Sequence, residues 1–180
     1  MPSNSEQVIV ENGVRGGDFR RVLGHFCSGV TVVTGLCSGP DGPEPAGFTC
    51  QSFVSLSLDP PLVAVAVGHS STTWPRIRST GAFAVNILTA RQERLGRAFA
   101  VRGADKFAGV AWRPALDTGS PLIDGVLAWL DCTIEAVHPG GDHSVVVGRV
   151  RALEAGDPGA EPLLFYRAAF HRPSSASEAA

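Results

Sequence analysis

One stretch, residues 47–61, constrains the fold of this chain more than any other. It opens with small polar residues, alternates apolar and polar residues over 53–58, and ends in the double proline Pro60-Pro61. A period of two is typical of a strand with one buried face. Proline lacks an N–H group and does not sit in the middle of a sheet ladder, so the prolines predict a boundary before the apolar run 62–67. The polar set at 49–52 offers amides and hydroxyls that suit a flat polar ligand.

The composition indicates a single globular domain. The chain has 180 residues, 44% of them hydrophobic and 18% charged, which is enough to bury a sizeable core. A net charge of -2 gives no basic field for nucleic acid. We expect a flexible N-terminus at 1–17, a folded domain at 18–171 and a disordered tail at 172–180. Neither a membrane-spanning run nor a signal peptide is predicted, so we expect a cytoplasmic protein.

The cysteines and histidines do not predict a metal site. The four cysteines are Cys27, Cys37, Cys50 and Cys132, and no pair has the C-x-x-C spacing of a zinc site. We expect them to be reduced and buried. Cys50 lies inside the polar stretch, but no neighbour in the sequence would lower its pKa and activate it.

Three short helices are predicted. An apolar stripe at i, i+3, i+4 and i+7 predicts a helix from Asp18 to about Cys27; its members are Phe19, Val22, Leu23 and Phe26. Pro75 suits the first turn of a helix over 74–78. Thr89 is placed to cap a helix over 90–100.

The remaining pattern predicts an antiparallel, mainly β fold of the α+β type. Strands are predicted at 30–34, 46–49, 53–58, 62–67, 83–88, 126–137, 144–150 and 163–167, with a long hairpin tip at 38–45, an irregular segment at 101–118 and a turn at 138–143. Several of the connecting turns are too short for the crossovers of a parallel sheet. An antiparallel barrel with appended helices is therefore favoured over a doubly wound parallel sheet.

Eight short segments, in the same order along the chain, resemble a known family. They lie at 26–34, 47–53, 55–62, 71–74, 83–88, 105–109, 140–143 and 162–167. Together they resemble the flavin reductases that serve two-component flavin-dependent monooxygenases, and most closely the short-chain reductases of bacterial phenol and steroid hydroxylase systems. The likeness extends over residues 19–167.

The resemblance implies a fold, an activity and partners. The implied fold is the FMN-binding split barrel, an antiparallel Greek-key β-barrel with short flanking helices. The implied activity is the reduction of free FAD or FMN by hydride transfer from NADH or NADPH, with the reduced flavin passed to a separate monooxygenase. A homodimer is also implied, and the apolar strands at 62–67 and 126–130 are candidates for its interface.

The resemblance further implies which residues meet the cofactors. The implied flavin contacts are Gly47, Phe48, Thr49, Cys50, Gln51, Ser52, Ala66, Val67, Gly68, Ser71, Thr72, Thr73, Lys106 and Phe107. Of these, the three hydroxyl residues at 71–73 would hold the flavin phosphate, and hydroxyls that open a helix are independently suited to an anion. The implied contacts of the nicotinamide nucleotide are His143, Phe165, Tyr166 and Arg167. No catalytic acid or base is required, because the cofactors carry the reaction and the protein positions them; His143 is the one candidate for a direct role.

Two alternatives stay open at this point. A non-catalytic, flavin-binding electron carrier would use the same barrel, and fold alone does not separate it from an enzyme. An oxidase of the pyridoxamine-phosphate type also shares the barrel, although the sequence has no evident Arg/Lys cluster for a substrate phosphate. One departure from the family pattern follows Arg167, where Ala168 stands in place of a frequent glycine.

Overall fold

Antiparallel pairing joins every pair of neighbouring strands in the structure, a computed structural model that describes residues 13–103 and 105–174. The predictions for 1–12 and 175–180 lie outside these residues. The helices are α1 (Gly16–Leu23), α2 (Trp74–Arg78) and α3 (Glu93–Ala100), with a 3₁₀ turn at Ala90–Gln92. The strands are β1 (Ser28–Gly29), β2 (Thr31–Gly39), β3 (Gly42–Cys50), β4 (Val54–Leu58), β5 (Pro61–Gly68), β6 (Ala82–Ile87), β7 (Trp112–Pro114), β8 (Pro121–Ile123), β9 (Ala128–Gly140), β10 (His143–Ala155), β11 (Leu164–Tyr166) and β12 (Ala169–His171).

One seven-stranded sheet forms the body of the protein. Its strand order is β3-β2-β6-β9-β10-β5-β4, and two small sheets, β1-β11-β12 and β7-β8, accompany it. The prediction of a mainly β protein with short helices is confirmed. Among the residues described, no ladder joins the edge strands β3 and β4, so closure into a split barrel remains a prediction.

The predicted long hairpin tip at 38–45 is wrong. Strands β2 and β3 pair up to Gly39 and Gly42, so the tip is a tight turn. Pro43 and Pro45, which the sequence analysis placed in a loop, lie in β3 opposite Ser38 and Leu36. Because β3 is an edge strand, a missing N–H group there need not interrupt the ladder.

The strand predicted at 53–58 forms, but it is not half-buried. Strand β4 lies at the other edge of the sheet and pairs only with β5. Val54, Leu56 and Leu58 are all more than half exposed. Pro61 opens β5, as the boundary prediction required.

The last hairpin is longer than predicted. Strand β9 continues through Gly140 and β10 runs on to Ala155, so the turn between them is reduced to Gly141 and Asp142. The segment 101–118, predicted to be irregular, contains the short strand β7, which pairs with β8.

Two clusters of apolar side chains form the core. One contains Val33, Val65, Phe83, Cys132 and Val146, and the other contains Val30, Val32, Leu88, Phe99 and Leu163. Val63, Val65 and Val67 of β5 are buried within the chain, and Val126 and Trp129 pack with the second cluster. The segments 62–67 and 126–130 therefore use much of their apolar surface inside the chain, which weakens the expectation that they form a dimer interface.

Helix α1 is shorter than predicted and lies on the surface. It ends at Leu23 rather than near Cys27, and none of its residues is buried. The apolar stripe of Phe19, Val22, Leu23 and Phe26 is exposed. Cys27 is also exposed, contrary to prediction, whereas the other three cysteines are buried and all four are free thiols. No helix in the described part of the chain is long and apolar enough to cross a membrane.

Candidate active site

A cavity of about 440 Å³ brings together most of the residues implied to bind flavin. It lies where β3, β5 and α3 end and β10 begins. The predicted residues that line it are Phe48, Thr49, Cys50, Gln51, Ser52, Ala66, Val67, Gly68, Ser71, Thr72, Thr73, Lys106 and His143. Segments that are distant in the sequence thus meet at one place, as the residues of a binding site would.

The polar stretch at 49–52 is fixed by its own hydroxyl groups. Thr49 Oγ1 donates to the carbonyl of Gly96 at 2.6 Å. Ser52 Oγ lies 2.8 Å from the carbonyl oxygen and 2.9 Å from the amide nitrogen of Ala66, which ties the stretch to β5. These hydroxyls position the backbone, so the donors that remain for a ligand include main-chain amides and the exposed side chain of Gln51. Contact of this stretch with a flavin remains a prediction.

Cys50 is held in the cavity wall as a neutral thiol. Its Sγ atom lies 3.2 Å from Ser52 Oγ, and the side chain is almost fully buried. Burial raises the pKa of the Cys50 thiol. A thiolate is therefore disfavoured, in agreement with the prediction that Cys50 is not activated.

The hydroxyl segment at 71–73 leads into helix α2. Ser71 Oγ accepts a hydrogen bond from the backbone N–H of Trp74 at 3.1 Å, so it provides a partner for the first amide of this one-turn helix, whose N-cap residue is Thr73. The hydroxyls of Thr72 and Thr73 make no hydrogen bond to any described side chain or backbone group, and both residues line the cavity. Because α2 has only five residues, its dipole adds little. An anion here would depend on the hydroxyls and on nearby positive charge.

Lys106 brings a positive charge to the cavity wall. Its Nζ atom donates to the carbonyl oxygens of Gly47 and Phe99, each at 3.1 Å. Burial lowers the pKa of Lys106. Since an ammonium group has three N–H donors, one remains for a ligand after these two bonds.

Gly47 and Phe107, also predicted to contact flavin, lie beside this cavity rather than in its wall. Both line a neighbouring cavity of about 430 Å³. A Cβ atom on Gly47 would lie 2.8 Å from Cε1 of Phe99, so a packing constraint accounts for the glycine at this position. Phe107 packs edge-on against Phe99, with ring centroids 5.0 Å apart.

The charge balance of the first cavity favours an anionic ligand. Arg102 and Lys106 line it, and no Asp or Glu of the described residues does. Another cavity, of about 710 Å³, shares no lining residue with it. That cavity combines the arginines Arg91, Arg113 and Arg172 with the acids Asp124, Glu154, Asp157 and Glu161. A phosphate group is therefore better accommodated by the first cavity than by the larger one.

His143 lies at the rim of the first cavity, opposite Gly68 in the β5–β10 ladder. Its Nδ1 atom is 2.7 Å from a carboxylate oxygen of Asp142. The hydrogen bond and the charge of His143 lower the pKa of Asp142. A Cβ atom built on Gly68 would be 3.5 Å from His143 Nε2, so the imidazole lies over this glycine, which also lines the cavity.

The predicted nicotinamide residues at 165–167 do not join the others. Phe165 and Tyr166 lie in β11, in the separate three-stranded sheet, and residues 165–167 line none of the three cavities described above. Arg167 Nη2 lies 3.2 Å from His25 Nδ1 and its guanidinium group stacks over Tyr166. Their contact with a nicotinamide nucleotide remains a prediction.

The turn after Tyr166 adopts a conformation that favours glycine. Arg167 and Ala168 have φ values of 48° and 62°, in the left-handed region. A glycine, frequent in the family at the second position, would adopt this turn without the steric cost of a Cβ atom. The chain therefore makes this turn with Ala168 where a glycine is frequent in the family.

Four lining residues were missed by the sequence analysis: Ser70, Phe99, Ala100 and Arg102. Phe99 and Ala100 end α3, and Arg102 lies two residues beyond the helix. The helix was predicted, but its orientation toward the polar stretch is set by contacts such as that of Thr49 with Gly96. Within the described ranges, no group of three or more His, Cys, Asp or Glu side chains is placed to hold a metal ion.

Comparison with known proteins gives a consistent result. The family model described as "Flavin reductase like domain" matches residues 23–174. The reductase subunit HsaB of a flavin-dependent monooxygenase from Mycobacterium tuberculosis is 48% identical over 150 residues, which cover 83% of this chain and 78% of that protein. A flavin reductase from Pseudomonas putida is 43% identical over 162 residues, covering 90% of this chain and 92% of its own length.

A solved structure shares both the fold and the sequence pattern. The NADH:FAD oxidoreductase of Streptomyces globisporus, solved in complex with NAD and FAD fragments, superposes with a TM-score of 0.81. It is 39% identical, and the match covers 90% of this chain and 94% of that one. The cavity, the eight sequence segments that occur in the family's order and these similarities agree. The chain belongs to the flavin reductase-like family.

Proposed function

We propose that this protein is an NADH-dependent flavin reductase that reduces free flavin and supplies it to a separate monooxygenase. The observation that carries the proposal is the first cavity, in which two threonine hydroxyls and two basic side chains converge and which no carboxylate of the described residues lines. This donor set fits a flavin phosphate and the polar edge of an isoalloxazine ring. The names of the relatives support the same activity.

The proposed roles of the residues follow from their chemistry. The backbone at 49–52, held by Thr49 and Ser52, would contact the flavin ring, and Ala66, Val67 and Gly68 would pass close to it. Thr72, Thr73, Lys106 and Arg102 would bind the phosphate. His143 would donate a hydrogen bond to the nicotinamide nucleotide, with Asp142 holding its ring in place through Nδ1.

The protein's contribution to the reaction is positioning. When bound, flavin supplies the electron acceptor and the nicotinamide supplies the hydride. The cavity wall would hold the two rings at reacting distance and the buried groups around Cys50 would keep water from one face. The described residues of the cavity need not transfer a proton in this scheme, which is consistent with the neutral Cys50 thiol.

Turnover with free flavin tests the enzymatic proposal against an electron carrier. Purified protein would be mixed with NADH and a large excess of FAD or FMN, and the NADH absorbance band followed. We expect many equivalents of NADH to be oxidised per protein molecule. Oxidation of no more than one equivalent, whatever the flavin excess, would favour the non-catalytic carrier. Parallel assays with NADPH would define the preferred nicotinamide nucleotide.

We also propose that the sheet closes as a Greek-key split barrel, that the protein is cytoplasmic and that it forms a homodimer. The exposed apolar side chains of the edge strand β4, together with those of α1, support association. Light scattering at micromolar protein concentration should give about twice the chain mass of 18.8 kDa. A mass equal to that of one chain would contradict the dimer and leave the reductase proposal intact.

A further inference from the structure

The β7–β8 hairpin, residues 112–123, follows the segment beside the first cavity and is attached to the seven-stranded sheet by buried polar side chains. Thr34 Oγ1 of β2 donates to the carbonyl oxygen of Pro121 at 2.6 Å. Thr118, in the loop of the hairpin, is hydrogen-bonded to the buried Asp131 of β9. The hairpin thus has a fixed place on the sheet, and it restrains the chain that enters it.

Asn86 of β6 bonds the hairpin to the sheet with both ends of its amide group, and its side chain is fully buried. The Oδ1 atom accepts a hydrogen bond from the backbone N–H of Ile123 at 2.8 Å. The Nδ2 atom faces the carbonyl oxygens of Val32 and Pro121 at 3.2 and 3.3 Å and the hydroxyl of Thr34 at 3.1 Å. A carboxylate has no donor for these oxygens and an apolar side chain bonds to neither end, so the position requires an amide.

A series of packed aromatic side chains leads from the hairpin to Lys106. Ile123 lies opposite Trp112 in the β7–β8 ladder. The Trp112 ring meets Phe107 edge-on, with centroids 6.1 Å apart, and Phe107 meets Phe99 in the same way at 5.0 Å. Phe107 directly follows Lys106 in the chain. Because packed side chains leave little free space, the position of β8 constrains the backbone that carries the ammonium group.

Lys106 needs this restraint, because its own segment has no regular structure. Residues 105–111 form turns and irregular backbone. The ammonium group ends a flexible four-carbon stem, and its two hydrogen bonds go to the carbonyl oxygens of Gly47 and Phe99. These bonds hold the tip of the side chain, whereas the packing of Phe107 holds the backbone from which the stem extends.

We propose that Asn86 is a positioning residue for Lys106, which places the ammonium group at the phosphate of a bound flavin and so favours phosphorylated flavins over riboflavin. The inference rests on the proposed function for the identity of the ligand. Asn86 lines none of the three cavities described above, so it acts through the hairpin alone. Its loss should therefore weaken only those ligands that use Lys106.

Fluorescence titration with FMN and riboflavin tests this role, because the two ligands differ by the phosphate. Asn86→Ala removes the bonds to β2 and β8, and we expect a severalfold rise in the Kd for FMN with an unchanged Kd for riboflavin. In a Lys106→Met background, Asn86→Ala should cause no further loss of FMN affinity, because the ammonium group that it positions is gone. Additive losses, or equal weakening of FMN and riboflavin, would overturn the proposal.

Two further variants separate positioning from a general loss of stability. Val85→Ala, next to Asn86 in β6, removes buried atoms from the first apolar cluster. It should lower the free energy of unfolding and leave the ratio of the two flavin Kd values unchanged. Trp112→Leu keeps the bonds of Asn86 and removes the edge contact with Phe107, so it should reproduce the FMN-specific loss even if Asn86→Ala does not fold. An unchanged Kd for FMN in Trp112→Leu, or an FMN-specific loss in Val85→Ala, would overturn the proposal.

Failure of this inference is distinguishable from failure of the reductase proposal. If the parent protein binds FMN and the losses are additive or unselective, the role of Asn86 is overturned and the reductase proposal stands. If the parent protein binds neither FMN nor FAD, the proposed function is overturned, and the role of Asn86 at the phosphate is overturned with it.

Discussion

The ammonium group of Lys106 lies 3.1 Å from the carbonyl oxygen of Gly47, 59 residues away along the chain. A second bond of the same length reaches the carbonyl of Phe99 at the end of α3. One side chain thus ties the segment after α3 to strand β3 and leaves a charged donor at the wall shared by two cavities. Under the proposed function, this arrangement would link the stability of the segment to the binding of a phosphate.

We expect Lys106→Met to weaken both the fold and flavin binding. Two carbonyls lose a charged donor, which should lower the free energy of unfolding by about 1–3 kcal/mol. Loss of the remaining donor to a phosphate should raise the Kd for FMN about tenfold. Fluorescence titration and denaturant unfolding would measure the two effects. Arg94→Met, which removes an exposed charge from α3, should leave both unchanged; an equal effect of the two variants would contradict a specific role of Lys106.

We expect Gly47→Ala to be destabilising for steric reasons. The added methyl group would lie 2.8 Å from Cε1 of Phe99. The Phe99 side chain is fully buried, so its ring has little room to move away. Overpacking of this kind costs about 1–3 kcal/mol. Urea unfolding would measure the loss. Gly29→Ala is the control, because nothing lies within 4 Å of its added Cβ; similar stabilities of the two variants would show that the ring moves aside.

We expect the double variant Thr72→Ala/Thr73→Ala to bind phosphorylated flavins poorly. Hydrogen bonds to a charged group are worth about 1.5–3 kcal/mol each, so the Kd for FMN should rise about tenfold or more. Riboflavin carries no phosphate and should bind the variant and the parent protein equally well. Equal weakening for riboflavin and FMN would refute the phosphate assignment.

We expect His143→Ala to affect NADH more than flavin. The imidazole is fixed by Asp142 through Nδ1 and would contribute binding that is the same in the ground state and the transition state. The KM for NADH should therefore rise severalfold, with a smaller change in kcat and little change in flavin affinity. His138→Ala, an exposed histidine on the same hairpin, is the control. Loss of flavin binding with an unchanged KM would move His143 into the flavin site.

We expect Asp131 to lower the free energy of unfolding as the pH rises above the ordinary pKa of an aspartate. Its carboxyl group is fully buried. Thr118 donates to one oxygen, and the other has no partner among the residues described. Burial raises the pKa of Asp131, so the folded state keeps a proton that the unfolded state has released. Folding is therefore favoured most below the unfolded pKa, and this stability is lost as the pH rises through the folded pKa.

Thermal melts across the acid-to-neutral range would check this sign. Asp131→Asn should remove the decline contributed by the carboxyl group and flatten the profile. Asp124→Asn, at an exposed position, should leave the profile of the parent protein unchanged. Parallel profiles for Asp131→Asn and the parent would contradict the assignment.

Local patterns in the sequence predicted most of the architecture. The period-two alternation, the apolar run 62–67 and the hairpin at the end of the chain predicted antiparallel strands, and the structure has them. Pro75 and Thr89 marked the starts of α2 and of the turn leading into α3. The eight short segments that occur in the family's order indicated the family. Such features depend on neighbours in the chain, so the sequence expresses them directly.

Other features were decided only by tertiary contacts. The prolines of β3 lie in a strand because that strand is at an edge of the sheet, and β4 is exposed because it is the opposite edge. Local sequence patterns do not indicate which strands lie next to each other in the sheet. The hydroxyls of Thr49 and Ser52 bond to the protein because α3 and β5 pass beside them.

The site divides in the same way. By itself, the sequence predicted an antiparallel β protein with a polar stretch at 49–52, and its family resemblance assigned a pair of threonines at 72–73 to a flavin phosphate, which stays a prediction. The resemblance had also implied Lys106, whereas the tertiary structure decided that Phe99 and Arg102 join them, and that a second cavity opens beside Arg76. The physical reason is that a cavity is formed by segments far apart in the chain, and their relative positions are set by packing of the whole sheet.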